Sequence, residues 1–177
     1  MTDEELDAID PGHKPSASEW ELLSDFLDYY RGVMVRKAQG LTREQLAVRL
    51  GPSTLTVGGL VKHLALVEHS WFHCRLLGNE YDEPWAAVDW DSDPDWEFRT
   101  AADDEPEALL RLYEDACARS RAAVAEVGDL DAMSQAPNRR GERFSMRWIP
   151  IHMIEETARH AGHADLIRES IDGTTGD

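Results

Sequence analysis

The segment from Ser145 to Gly173 restricts the fold of this chain more than any other part of the sequence. It is long enough for a helix of about seven turns at 3.6 residues per turn. Ser145 has a side chain suited to an N-cap, and Gly173 stands where a C′ glycine ends a helix. Pro150 lacks a backbone donor and must lie in the first turn or kink the helix, so the start can shift by several residues. The segment predicts one long helix near the end of the chain.

Polar side chains interrupt the apolar face of this predicted helix. At about 100° per residue, one narrow arc contains Ile149, Met153, His160, Ala164, Ile167 and Ile171. Glu156 lies at the edge of the arc one turn from His160, and His152 and His163 flank Glu156. A carboxylate and an imidazole are costly to bury without a partner, and one metal ion would satisfy both. A Glu–His hydrogen bond inside the core, or a rotated helix that leaves both side chains in water, would also explain the pattern.

Three other segments show helical periodicity and helix-end signals. They cover residues 18–38, 56–77 and 106–127. Ser18 and Glu21 form a capping box at the start of the first segment. Pro106 is a favoured first helical residue for the third. Together with the last helix, these segments predict an all-α four-helix bundle with a long middle connection.

The remaining sequence predicts a tail and that connection. Residues 1–17 are acidic, contain Pro and Gly, and lack periodicity, so we expect a flexible N-terminal arm. Residues 18–177 would then form the single bundle domain. Residues 79–105 show no helical period, and loops of this length often act as lids or binding loops. The connection contains three tryptophans, Trp85, Trp90 and Trp96. They would either cover a substrate or simply pack on the bundle and keep the connection ordered.

The charge and the cysteine content exclude several classes of protein. Lys and Arg total 18 against 35 Asp and Glu, a net charge of −17. This balance argues against binding to nucleic acid, whose phosphates would be repelled, and to anionic membranes.

The sequence has no signal-peptide pattern and no apolar run long enough to span a bilayer, so we expect a cytoplasmic protein. Cys74 and Cys117 lack CxxC spacing and are expected to be reduced and buried.

Three histidines lie on the predicted second helix. His63 is at the edge of its apolar arc. A lone histidine in such a place is more often a satisfied core residue than a metal ligand. His69 and His73 have the spacing HxxxH, but periodicity directs them to the opposite side of the helix. We therefore predict that these two residues form a surface pair.

Three segments of the chain resemble the DinB-like four-helix-bundle superfamily. They are SEWELLSDFLDYYRGVMVRKAQGL, TLTVGGLVKHLALVEHSWF and MRWIPIHMIEETARHAGHADLIRESIDG. The chain is most similar to the branch neighbouring mycothiol-dependent maleylpyruvate isomerases and thiol S-transferases. In that superfamily, a histidine of the second helix and two residues four apart on the last helix bind a divalent metal. The matching positions here are His63, Glu156 and His160.

The chain departs from many of these relatives at two positions. Many have histidine where this chain has Glu156, although the mycothiol-dependent isomerases are similar to it in using glutamate. Many have glutamine where this chain has His163. The second departure leaves open whether His163 is a fourth ligand, a base or a partner of a ligand.

The resemblance implies a metal-dependent enzyme that acts on small molecules. Two imidazoles and one carboxylate leave a position open on zinc, the metal we expect first, with nickel and iron as alternatives. A thiol that binds there loses its proton, which would activate a mycothiol-like thiol for S-transfer or isomerisation. His163 is the candidate catalytic residue for moving the proton, with His152 as the other candidate.

Other functions remain open from the sequence alone. Two histidines and a carboxylate also bind iron(II) in oxygenases, and a metal-bound water would serve a hydrolase. The bundle could instead be a non-catalytic binding or sensor module, with or without a metal. Ile151 and Ile154 lie on a different side of the last helix from the main arc. They would pack on another helix or, in a homodimer, on another subunit.

Overall fold

A computed structural model describes residues 16–176, which excludes most of the predicted N-terminal arm. This part of the chain contains helices and no β-strand. The α-helices are α1 (Glu19–Ala38), α2 (Arg43–Leu46), α3 (Val57–Glu68), α4 (Trp96–Thr100), α5 (Pro106–Val127) and α6 (Trp148–Asp172). A π-helix, His69–Leu76, continues α3, and short 3₁₀ turns cover Trp85–Ala87 and Ala101–Asp103. Within the described range, every helix is too short or too polar to cross a membrane.

The long helices pack as a bundle. Helix α1 lies along α6, and α3 lies along α5, while α3 also contacts α1 and α6. The core between them contains completely buried apolar side chains such as Leu60 of α3, Tyr113 of α5 and Met153 of α6. The all-α prediction is therefore confirmed. Ile154 packs inside the chain, whereas Ile151 is half exposed.

The helix ends follow the sequence signals closely. Ser18 and Glu21 form both hydrogen bonds of the capping box at the start of α1, and α5 begins at Pro106. Pro150 lies in the first turn of α6, where its missing N–H costs no helical hydrogen bond. The helix begins three residues later than Ser145, whose hydroxyl accepts a hydrogen bond from the backbone N–H of Trp148.

The long connection is more ordered than its lack of periodicity predicts. Its helix α4 packs on α3. The Lys62 ammonium lies 4.4 Å from the centre of the Trp96 ring and donates hydrogen bonds to Thr100 (2.9 Å) and Asp104 (2.6 Å). Trp85 is buried in the core. The indoles therefore help to fix the connection on the bundle, and a helix of only five residues is too short to show a period.

The second predicted helix changes its winding at His69. From this residue the backbone forms the wider i→i+5 turns of a π-helix. Residues 79–82 then fold back over it, and the Tyr81 ring centre lies 5.6 Å from that of His69. His69 is only 2% exposed. The prediction of a surface pair is wrong for His69, because the returning chain covers a position that a regular α-helix would leave in water.

Candidate metal centre

Three residues of α3 and α6 meet inside the bundle. The Nε2 atoms of His63 and His160 lie 3.4 and 3.1 Å from the same oxygen, Oε1 of Glu156. One ligand atom from each of the three residues lies within 4.8 Å of the others. Glu156 and His160 share a face of α6 because they are four residues apart. The contact between α3 and α6 then places His63 opposite them.

The middle connection adds a carboxylate that the sequence patterns do not predict. Glu97 of α4 is 4% exposed, and its Oε1 lies 2.9 Å from Nδ1 of His63. The neighbouring Phe98 ring stacks on the His63 ring, with a centroid distance of 4.7 Å and an interplanar angle of 23°. The only sequence signal is an acidic residue between two aromatic ones, Trp96 and Phe98. Helix α4 therefore holds His63 from the side opposite Glu156.

These contacts determine which nitrogen of His63 carries a proton. A carboxylate can only accept, so Nδ1 of His63 must donate to Glu97. In a neutral ring, the Nε2 lone pair then faces Oε1 of Glu156. Two electron-rich atoms are held this close only when a proton or a cation lies between them. The donor set of His63, Glu156 and His160, with a carboxylate behind one histidine, therefore fits a divalent metal ion.

The charges around Glu156 favour its ionised form. Burial raises the pKa of Glu156, but the charges of His160 and Arg159 and the contacts with His63 and His160 outweigh this effect and lower the pKa. Arg159 donates a hydrogen bond of 2.7 Å to Oε2, which leaves Oε1 for the two histidines. Burial and the nearby His63 lower the pKa of His160. Glu156 is thus an anion and His160 a neutral imidazole at neutral pH, the forms that bind metals.

The two other histidines of α6 lie in different surroundings. Nδ1 of His163 is 3.4 Å from Nδ1 of His160, the ring nitrogen that does not contact Glu156. This places His163 behind His160. His152 belongs to an aromatic cluster, where its ring centre lies 5.0 Å from that of Trp148 and 4.8 Å from that of Trp71. Of the two candidates for moving a proton, His163 is the one in contact with the three-residue group.

Two solved structures share the fold. One is a mycothiol-dependent maleylpyruvate isomerase, with a TM-score of 0.57 and 18% identity over 82% of this chain. The other is a histidine-to-alanine mutant of a mycothiol-dependent maleylpyruvate isomerase, with a TM-score of 0.59 and 16% identity over 90% of this chain. The matches span 60% and 62% of the chains in those structures. No curated protein matches the sequence significantly.

The sequence also matches the family model described as mycothiol S-transferase. The match covers residues 22–173, which include most of α1, the whole of α3, α4, α5 and α6, and every side chain of the three-residue group. It extends over more than half of the chain. The chain belongs to the mycothiol S-transferase family.

Proposed function

We propose that this protein is a divalent-metal-dependent enzyme that uses mycothiol. It would transfer the thiol to an electrophilic small molecule, or use it to assist an isomerisation. The family supports a mycothiol-related enzyme, and the two solved structures are of mycothiol-dependent isomerases. The observation that carries the metal dependence is the approach of His63 and His160 to one oxygen of Glu156.

His63, Glu156 and His160 would hold the metal. Two imidazoles and one carboxylate form a common catalytic zinc site, and the same donors also accept nickel or iron. An ion held by these three residues would supply Lewis-acid chemistry that lowers the pKa of a bound thiol. Family membership and this donor set together favour thiol activation over the other metal-dependent reactions.

The surrounding side chains would orient the ligands and receive the proton. Glu97 fixes His63 through Nδ1, and Arg159 fixes Glu156 through Oε2. We assign the proton that the thiol releases to His163, the candidate residue that contacts the three-residue group, with its ring centre 5.5 Å from that of His160. The thiolate would then attack the electrophilic carbon, and the leaving group or the reorganised substrate would take up the displaced electron pair.

The activity test follows the consumption of mycothiol, bacillithiol and glutathione with a panel of electrophiles. Mycothiol should be consumed faster with zinc-loaded protein than in buffer without protein, and Glu156→Ala should abolish this increase in rate. Cys74→Ser is the control, because burial and the nearby Asp82 and Glu80 raise the pKa of the Cys74 thiol to about 11. That thiol is protonated at neutral pH, so Cys74→Ser should keep the full rate. Absence of thiol-dependent turnover in fully metallated protein would instead indicate a binding module.

The metal content gives a second, independent test. His160→Ala should lose the bound ion, as measured by elemental analysis after dialysis. Circular dichroism should show that the bundle remains folded, because the neighbouring core residues of α6 are unchanged. The proposal fails if wild type and His160→Ala bind the same amount of metal at this group.

A further inference from the structure

A second group of metal-ligand side chains lies at the start of the π-helix. His69, His73 and Asp82 each place one ligand atom within 4.8 Å of the others. Nε2 of His73 is 3.3 Å from Oδ2 of Asp82. Nε2 of His69 accepts a hydrogen bond of 3.3 Å from the backbone N–H of Asp82. Both imidazoles therefore direct a nitrogen at the same residue of the connection.

The local backbone holds Asp82 in this place. Gly78 ends the π-helix with a left-handed φ of 78° and reverses the chain. The Tyr81 hydroxyl then donates a hydrogen bond of 2.9 Å to Oγ of Ser70, on the π-helix between the two histidines. The adjacent Asp82 is thus fixed over the helix. π-Helical turns inside α-helices frequently occur at functional sites.

Among the residues that the structure describes, only one of the two ring nitrogens of the buried His69 has a hydrogen-bond partner. Nε2 accepts the bond from Asp82, so the proton of the neutral ring lies on Nδ1. Nδ1 is buried and has no hydrogen-bond partner among residues 16–176. In this tautomer, the lone pair of His69 lies on Nε2, the nitrogen that faces Asp82.

We propose that His69, His73 and Asp82 bind a second divalent transition-metal ion of the zinc type. Two imidazoles and one carboxylate are ligands that zinc prefers. The ion would replace two hydrogen bonds, the one between His73 and the Asp82 carboxylate and the one that His69 accepts from the backbone N–H of Asp82. Because the two rings are nearly parallel, at 25°, the His73 ring must rotate for both lone pairs to meet the ion. The His73 side chain is 23% exposed and the Asp82 side chain 65%, which leaves room for this rotation and for water ligands.

The bound ion would fasten the start of the long connection to the π-helix. Its three ligands are different residues from His63, Glu156 and His160. The two groups should therefore fill independently, and the second ion should be retained when the first group is disrupted. This inference goes beyond the proposed thiol chemistry and does not depend on it.

The test titrates the full, untagged chain with zinc and measures bound metal by elemental analysis. His73→Ala should bind one zinc per chain fewer than wild type, and His73→Ala with His160→Ala should bind none. Asp82→Asn keeps the backbone N–H that faces His69 but loses the carboxylate. It should therefore weaken binding of the second ion by at least about tenfold without unfolding the chain. His152→Ala removes a histidine outside both groups and should bind as much zinc as wild type.

Each outcome separates this site from the first one. A loss of zinc in His73→Ala, but not in His160→Ala, would support the second site and contradict the first. Unchanged zinc binding in His73→Ala or in Asp82→Asn would overturn the second site. In the His160→Ala background, zinc should still raise the melting temperature, and Asp82→Asn should reduce that rise. Equal rises with and without Asp82→Asn would also overturn it.

Discussion

Replacement of Glu97 by glutamine should weaken metal binding but leave the stability of the metal-free protein almost unchanged. Glu97 is buried, and only one of its oxygens has a hydrogen-bond partner, Nδ1 of His63. Oε2 is buried without a partner in the described part of the chain. The glutamine keeps the shape of the side chain and its carbonyl oxygen, but removes a buried negative charge. The free energy of unfolding without metal should therefore change by less than about 1 kcal/mol.

Metal binding should respond much more strongly to the same change. The carboxylate makes His63 a better ligand, because it accepts the Nδ1 proton and increases the electron density on Nε2. Loss of such a partner typically weakens metal binding by about 10- to 100-fold, or about 1.4 to 2.7 kcal/mol. At a zinc concentration of about 1,000 times the wild-type Kd, the metal adds about 4 kcal/mol to the stability. Glu97→Gln should lose about a third to two thirds of this gain.

Urea unfolding with and without zinc, carried out in the His73→Ala background to remove the proposed second site, measures both quantities in one series. Competition with a chromogenic chelator gives the Kd directly. Glu83→Gln is the matched control, because this glutamate lies on the same connection and is exposed. It should leave both quantities unchanged. A zinc Kd for Glu97→Gln equal to that of wild type would refute the role assigned to Glu97, whatever the effect on unfolding without metal.

Three further predictions concern stability and are measured by chemical unfolding. Arg31 donates hydrogen bonds of 2.7 and 2.6 Å to the fully buried Glu68. Arg31→Met should therefore lower the free energy of unfolding by about 3–5 kcal/mol, because it leaves a buried charge unpaired, and the double variant with Glu68→Leu should lower it much less. Equal losses in the single and the double variant would contradict this. Burial raises the pKa of Asp28, but Arg121 and Arg31 lower it overall. Asp28→Asn should therefore cost up to about 1 kcal/mol at pH 7. That cost should vanish as the pH falls through the lowered pKa, and a pH-independent cost would argue against the charge pairing. Gly78→Ala, at a φ of 78°, should destabilise by about 1 kcal/mol or more, and a neutral effect would be unexpected.

The sequence allows the helices to be placed where a local chemical signal marks their ends. The capping box of Ser18 and Glu21 and the proline at position 106 mark the first residues of α1 and α5. Each signal acts within one turn, so it can be read without knowledge of the rest of the fold. Ser145 is an instructive exception. Its hydroxyl does accept a hydrogen bond from the backbone N–H of Trp148, but the α-helix begins only at Trp148, close to Pro150.

The convergence of His63, Glu156 and His160 is partly visible in the sequence. Periodicity alone places Glu156 and His160 on one face of α6, because both belong to the same rigid helix. Their proximity to His63 depends on how α3 packs against α6, and only the family resemblance points to it. His69 and Glu97 could not be placed in this way. Their surroundings depend on a change of helical winding and on a five-residue helix, and neither leaves a periodic pattern.

The position of α4 and the chemistry of His63 are coupled through Glu97. Lys62, the neighbour of His63 on α3, lies against the Trp96 ring and donates hydrogen bonds to Thr100 and Asp104, so α3 contacts the connection on both sides of Glu97. Any ligand that displaces α4 must break the hydrogen bond from His63 to Glu97, and the Nδ1–H form of His63 then loses the carboxylate that stabilises it. By linkage, a metal that favours the Nδ1–H form of His63 must also favour the docked position of α4 by the same free energy. The connection is therefore part of the candidate metal centre, and its docking should become tighter when the metal is bound.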